Sequence, residues 1–231
     1  MFIGVSRSGT SRISEPPQPY ENSEFDLLAP KFLQSVDFVC SECGFSSPKY
    51  QHVHHLDGNH KHNKVSNFSC RDPLCHLCEH LGFVADNKLG TLVFCDSLSQ
   101  EELNAYVRIS WVTNYLARTL GAENCGETLL KIARNTALWI ELLENTNHQV
   151  QRAYKIQNIR ALAEDFRNMS DEEYESRHSK FPSLRLLFHP DSFSREIEEW
   201  SRNKDFFADF YEPNQWPIIL EKHIQRSEAN G

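Results

Sequence analysis

An α+β fold is predicted, with a small cysteine-pinned ββα module at the front and an α-rich helical remainder behind it. Two observations carry the prediction. Cys40-Ser-Glu-Cys43 and Cys75-His-Leu-Cys78 are paired Cys-x-x-Cys units separated by residues 44–74, and seven of the eleven histidines lie between or beside them. Past residue 97 the apolar residues recur at helical spacing behind recognisable helix starts.

The boundaries follow composition. Residues 1–30 read as a flexible N-terminal arm, because Glu15-Pro-Pro-Gln-Pro19 blocks helix and ladder pairing and few apolar residues surround it. Residues 31–96 form the cysteine-pinned module. Phe32–Cys40 is expected to enter the first knuckle as a short strand, and Gly44 allows the tight turn after Cys43. Tyr50–Leu56 is expected to be a strand, with Tyr50, His52, His54 and Leu56 on one face and Gln51, Val53 and His55 on the other. Asp57-Gly58-Asn59 ends it as a turn. Gly90–Cys95 is a compact strand of β-branched and aromatic residues.

Residues 97–210 form the helical region. Ser99-Gln-Glu-Glu102 is a capping box, and Leu103, Tyr106, Val107, Ser110, Trp111 and Asn114 then repeat as an amphipathic helix closing at Gly121. Glu127–Leu143 is a second helix; Asn145-Thr-Asn147 interrupts it, and helix is expected again from Val150 to Phe166. Ser170-Asp-Glu-Glu173 is another capping box, and its acidic run is a helix N-terminus rather than a metal cluster. A last helix starts near Asp191 and runs through Trp200 toward Phe210, and 211–231 is a C-terminal tail.

Four sulfurs in two closely spaced pairs match tetrahedral zinc, so Cys40, Cys43, Cys75 and Cys78 are the expected metal ligands. A closed four-cysteine site is a structural staple, since it leaves no position for substrate. Cys70, Cys95 and Cys125 are left over and read as buried, inert thiols. The same stretch also has the layout of a ββα-metal nuclease. There His55 would be the base, His54 a neighbouring metal ligand and Asn67 the asparagine that sets the loop aiming the base. The third ligand position after the last cysteine is Glu79, with His80 one place later, about 100° further round a helix.

Net charge is −8 with neutral histidines. Phosphate binding draws its affinity from basic surfaces, so this balance argues against nucleic acid and for a protein partner. No apolar run is long enough to span a membrane, no secretory signal is evident, and the cysteine usage fits a reducing cytosol.

Several segments together resemble the IcmJ/DotN proteins of type IVB secretion systems. They are Cys40-Ser-Glu-Cys-Gly-Phe45, Tyr50-Gln51, Leu56-Asp-Gly58, Asn63-Lys-Val-Ser-Asn67, the second cysteine pair, Gly90-Thr-Leu92, Leu98–Asn104 and Phe193–Trp200. The resemblance implies an HNH-nuclease-like zinc fold without a usable active site, serving as a non-catalytic adaptor of the coupling complex. Such an adaptor holds the C-terminal tail of the coupling ATPase beside other coupling-complex subunits, in the cytoplasm at the inner face of the inner membrane. Cys40, Cys43, Cys75 and Cys78 carry over as zinc ligands. The family pattern lacks the histidine pair His54-His55, and that departure leaves a Mg²⁺-dependent HNH endonuclease acting on DNA or RNA as the alternative. Trp111, Tyr115, Trp139 and Trp200 are candidates for lining a groove for a partner helix.

Overall fold

Apolar residues at 25, 28, 29, 32 and 33 make one helical stripe, and in the computed structural model, which describes residues 2–7, 13–17, 23–121 and 123–202, they form helix α1, Ser23–Ser35. Its stripe covers a two-stranded antiparallel sheet of β1, His52–His55, and β2, Phe68–Arg71, burying Phe25, Ala29, Val53 and Phe68 in a small core of their own. The register sets His52 opposite Arg71 and His55 opposite Phe68. Period-two alternation then sends Val53 and His55 toward α1, with His52 and His54 on the other face.

Asp72 and Pro73 start α2, Pro73–Leu77, because the Asp72 carboxylate accepts from the Leu74 and Cys75 amides and proline is tolerated in the first turn. Next come α3, Leu81–Asp86, and β3, Gly90–Phe94. The capping box at Ser99 opens α4, Gln100–Leu120, with Ser99 Oγ accepting from the Glu102 amide and Glu102 accepting from the Ser99 amide. Behind it lie α5, Glu127–Glu144; α6, Asn147–Tyr154; α7, Ile159–Asn168; α8, Asp171–Glu175; and α9, Arg177–Lys180. Strand β4, Leu184–Phe188, pairs antiparallel with β3, and α10, Ser194–Ser201, packs on α4. At Gly90 a Cβ would come within 2.5 Å of the Leu187 carbonyl oxygen, so the ladder requires a residue without a side chain there.

The main core gathers α3, α4, α5, α7 and α10 around the β3–β4 ribbon, with Leu92, Leu103, Val112, Leu162, Phe166, Leu186 and Trp200 fully enclosed. Together with the small sheets this is a mixed helix-and-sheet architecture. Among the described residues no helix is long and apolar enough to cross a membrane.

Several local expectations are corrected. Phe32–Cys40 is no strand: α1 runs to Ser35, and Asp37 and Phe38 take left-handed backbone angles in the turn that follows, leaving Val39 only an isolated bridge to Ser46. Within segment 1–30, residues 2–7 are held rather than loose. Ile3 and Val5 are buried, the Gly4 amide donates to the Cys78 carbonyl, and Tyr174 Oη bonds both the amide and the carbonyl of Val5. The Val150–Phe166 helix breaks where Lys155 turns left-handed, and Asn158 caps a new start at α7. The last helix is preceded by a short 3-10 turn over Pro190–Phe193 and begins at Ser194; its expected continuation toward Phe210, like the tail 211–231, lies outside the described residues.

Candidate metal centre

The first knuckle is built on backbone. The Cys40 amide donates to the Phe45 carbonyl and the Gly44 amide to the Cys40 carbonyl, with Gly44 at φ +73° making the return possible. Gln51 Nε2 locks the loop by donating to the carbonyls of Phe38 and Phe45, and the Ser41 amide ties it to β2 through the Cys70 carbonyl. The second pair is delivered by α2.

Donor atoms of Cys40, Cys43, Asp72 and Cys75 all lie within 4.8 Å of one another. Cys43 Sγ is 3.0 Å from Asp72 Oδ2. Hydrogen bonds from Cys43, then Cys75, drive the Cys40 thiol far below its usual range, while Cys43 is pushed up because Cys40 takes the charge first. Three thiols sharing protons in so small a space form a poor packing unit and a good donor set, and zinc takes such sulfur-rich sets with carboxylate in a tetrahedron. The residues present therefore fit a zinc ion, whose role when bound would be a structural staple. Cys78, expected as the fourth ligand, stands beside the converging group. Asn104 Nδ2 on α4 bridges it to the cluster, at 3.5 Å from Cys75 Sγ and 3.7 Å from Cys78 Sγ.

The sequence reading missed Asp72 and Arg108. Asp72 Oδ1 makes a 2.9 Å ion pair with Arg108 Nη2, both groups sealed from solvent, and the guanidinium lies 4.0 Å above the Phe45 ring. Arg108 Nη2 also reaches Cys43 Sγ at 4.0 Å. One buried cation thus faces a cluster that is negative once its thiols ionise. The Asp-Pro start of α2 was a legible signal for a capping carboxylate; nothing local marks Arg108, which sits mid-helix among apolar residues.

Cys70, Cys95 and Cys125 are buried as expected, and burial pushes the Cys70 thiol up to about 12. His54 and His55 part company, as neighbours on a strand must. His55 is 1 % exposed, its ring stacked on Phe25 at 5.5 Å and Nε2 3.1 Å from Asn63 Oδ1. His54 instead faces His76 and His80, and its Nε2 pairs with Glu79 Oε2 at 3.0 Å. The 100° offset expected between Glu79 and His80 on one helix does not arise: residues 78–80 do not continue α2, and His80 stands at the start of α3, facing His54. Burial holds His54 and His80 down at about 3 and His52 at about 4, so these imidazoles are neutral at pH 7. Asn67 does set the loop: its Oδ1 accepts from the Asp57 amide, and Nδ2 donates to Asp57 Oδ1 and the His62 carbonyl.

The groove candidates are mostly core. Trp200 and Trp111 are buried, one edge-on to Phe45 and the other stacked on Phe193, while Tyr115 and Trp139 are partly covered against the same core.

Over 185 residues the chain is 26 % identical to the type 4 apparatus protein DotN of Legionella pneumophila, a match covering 78 % of this chain and 80 % of that protein. The chain is similar to DotN over most of its length. The resemblance to the IcmJ/DotN family read from the knuckles and the 90–104 segment is thereby supported across most of the chain. No family model matches it.

Proposed function

We propose that this protein is a zinc-stabilised, non-catalytic adaptor of a type IVB secretion or related conjugation coupling complex, binding the C-terminal tail of the coupling ATPase. The observation that carries the non-catalytic part is the enclosure of His55. A general base must reach water and a scissile phosphate, yet this imidazole is stacked on Phe25, edge-on to Phe68 and bonded to Asn63. The likeness to a type 4 apparatus protein supports the secretion context.

In this reading β1, β2 and α2 are a ββα scaffold of HNH-like form, used to hold shape rather than to cut. Zinc on Cys40, Cys43, Cys75 and Cys78 or Asp72 pins the two knuckles to each other. Asn104 and Arg108 then fasten α4 to the knuckles, so the module and the helical region present one rigid surface to the ATPase tail. The Mg²⁺-dependent endonuclease reading has less support, since Mg²⁺ seeks oxygen ligands and the face of β1 turned away from α1 offers imidazole.

The test is capture of a coupling-ATPase C-terminal tail by the full chain, with wild type and His55→Ala compared, alongside nicking of supercoiled plasmid in Mg²⁺ or Mn²⁺. Equal capture by both proteins without nicking supports the adaptor. Metal-dependent nicking by wild type that His55→Ala abolishes overturns it.

A further inference from the structure

Between α1 and residues 48–53 runs an open groove of about 530 Å³. Ala29 and Leu33 line it from α1, and Phe38, Pro48 and Tyr50 line it from the first knuckle and the approach to β1. Pro48 and Tyr50 are exposed, as is Val39 next to Phe38. Tyr50 is also held at φ +65°, a costly backbone conformation for an aromatic residue and one that recurs at ligand clamps. Gln51 completes the lining. Its Nε2 is spent on the carbonyls of Phe38 and Phe45, while its Oε1 is enclosed without a hydrogen-bond partner among the described residues. A buried amide oxygen left in that state is costly until a donor reaches it.

The last described helix ends beside this groove. Trp200 on α10 packs edge-on against Phe45 of the first knuckle, and Glu199 Oε2 accepts from Lys49 Nζ at 3.0 Å. Lys49 lies between Pro48 and Tyr50, so α10 stands about one lysine side chain away from the groove rim. Residues 203–231 follow in the sequence, and between Glu212 and Glu221 they carry an uncharged apolar run, Trp216-Pro-Ile-Ile-Leu220. The stretch 203–215 reaches about 45 Å at full extension, ample to bring that run round the rim.

We propose that the groove seats the chain's own C-terminal segment, with Trp216–Leu220 lying between α1 and residues 48–53. Trp216 matches the site in kind: a broad apolar ring for Leu33, Phe38 and Tyr50, and one N–H donor for Gln51 Oε1. Pro217 biases Trp216 toward extended backbone, the form that lies along a groove. Tethering decides the occupant. A segment joined through a short linker competes at an effective concentration of about a millimolar, above that of a separate apolar chain in dilute protein. So seated, the tail links α10 to α1 across the first knuckle and keeps the groove closed to a second apolar chain.

The assay uses the full chain alone, so its outcome is independent of the secretion reading. Ile219 is replaced by the photo-crosslinker p-benzoylphenylalanine, dilute protein is irradiated, and the captured peptides are mapped by mass spectrometry. The expected capture lies within one chain, on residues 25–34 or 48–53, and adding Trp216→Ala should cut its yield about 10-fold. Gln34→Arg, which sets a charge on the exposed α1 wall of the groove, should cut it as well. Amide hydrogen exchange gives a second readout without the crosslinker: Trp216→Ala should speed exchange over residues 25–34 about 10-fold and leave α4 and α5 unchanged. Capture only between two chains assigns the groove to a second copy and overturns the proposal. Capture elsewhere on the chain, or exchange over 25–34 that Trp216→Ala leaves unchanged, overturns it equally.

Discussion

Replacing Arg108 with methionine removes a buried cation that faces the cysteine cluster while nearly preserving side-chain volume. In the structure its Nη2 sits 2.9 Å from Asp72 Oδ1, and both residues are at most 1 % exposed, so neither charge is relieved by water. Breaking such a pair from one side leaves the buried Asp72 carboxylate without its guanidinium partner, at a cost of about 3–5 kcal/mol. For a chain of this size that corresponds to a fall of roughly 6–20 °C in Tm, at about 2–4 °C per kcal/mol. Some loss also comes from the guanidinium stack on Phe45, 4.0 Å away. Arg108→Lys separates the two contributions, since it keeps the charge and surrenders the planar fork and the stack; it should lose less than Arg108→Met. The assay is thermal and urea unfolding of metal-loaded protein, with zinc per chain measured before and after. Arg108→Met within about 1 kcal/mol of wild type, at full metal content, would refute the charge-compensation argument.

Four further outcomes follow from the same geometry. Cys43→Ser should lower metal content and unfold the front module, because metal binding at such sites is folding energy; undiminished stability after complete chelation of wild type would contradict this. His55→Ala should cost about 2–4 kcal/mol in urea unfolding through the cavity left beneath Phe25 and Phe68, although the residue looks catalytic in the sequence. Gly82→Ala should free the segment around Ile13, whose carbonyl oxygen lies 1.8 Å from where a Cβ would be built, and limited proteolysis should then cut near it sooner. Acid should weaken the fold through the buried histidines. His52 has a folded pKa of about 4 against an ordinary 6.5, so the unfolded chain binds its proton first. Stability is complete above pH 6.5 and declines as pH falls, by up to about 2 kcal/mol at pH 5 from this group, and His52→Gln should flatten the fall.

Legibility in the sequence tracked the range of the interactions. The capping boxes at Ser99 and Ser170 and the turn at Gly44 depend on residues a few positions apart, and each was readable. Helix α1 was missed for a local reason: the proline run at 15–19 and the few apolar residues around it suggested an arm, yet the stripe of Phe25, Leu28, Ala29, Phe32 and Leu33 finds its partner in Val53 and Phe68. Strand β4 was missed because its partner β3 lies some ninety residues earlier, and a short apolar run does not declare what it pairs with.

Cysteine pairs spaced for one metal, the alternation along 50–56 and the family likeness are properties of the chain's own order, and they sufficed to point to a cysteine cluster that could hold a metal ion and to a likeness to DotN. Side-chain surroundings are not. That Asp72 rather than Cys78 converges with the other three donors, that Arg108 lies against them, that His55 is sealed while His54, His76 and His80 meet, all depend on how α1, α2, α3 and α4 close around the β1–β2 pair. Those contacts join residues tens of positions apart, and burial and charge compensation exist only once the packed interior has excluded water.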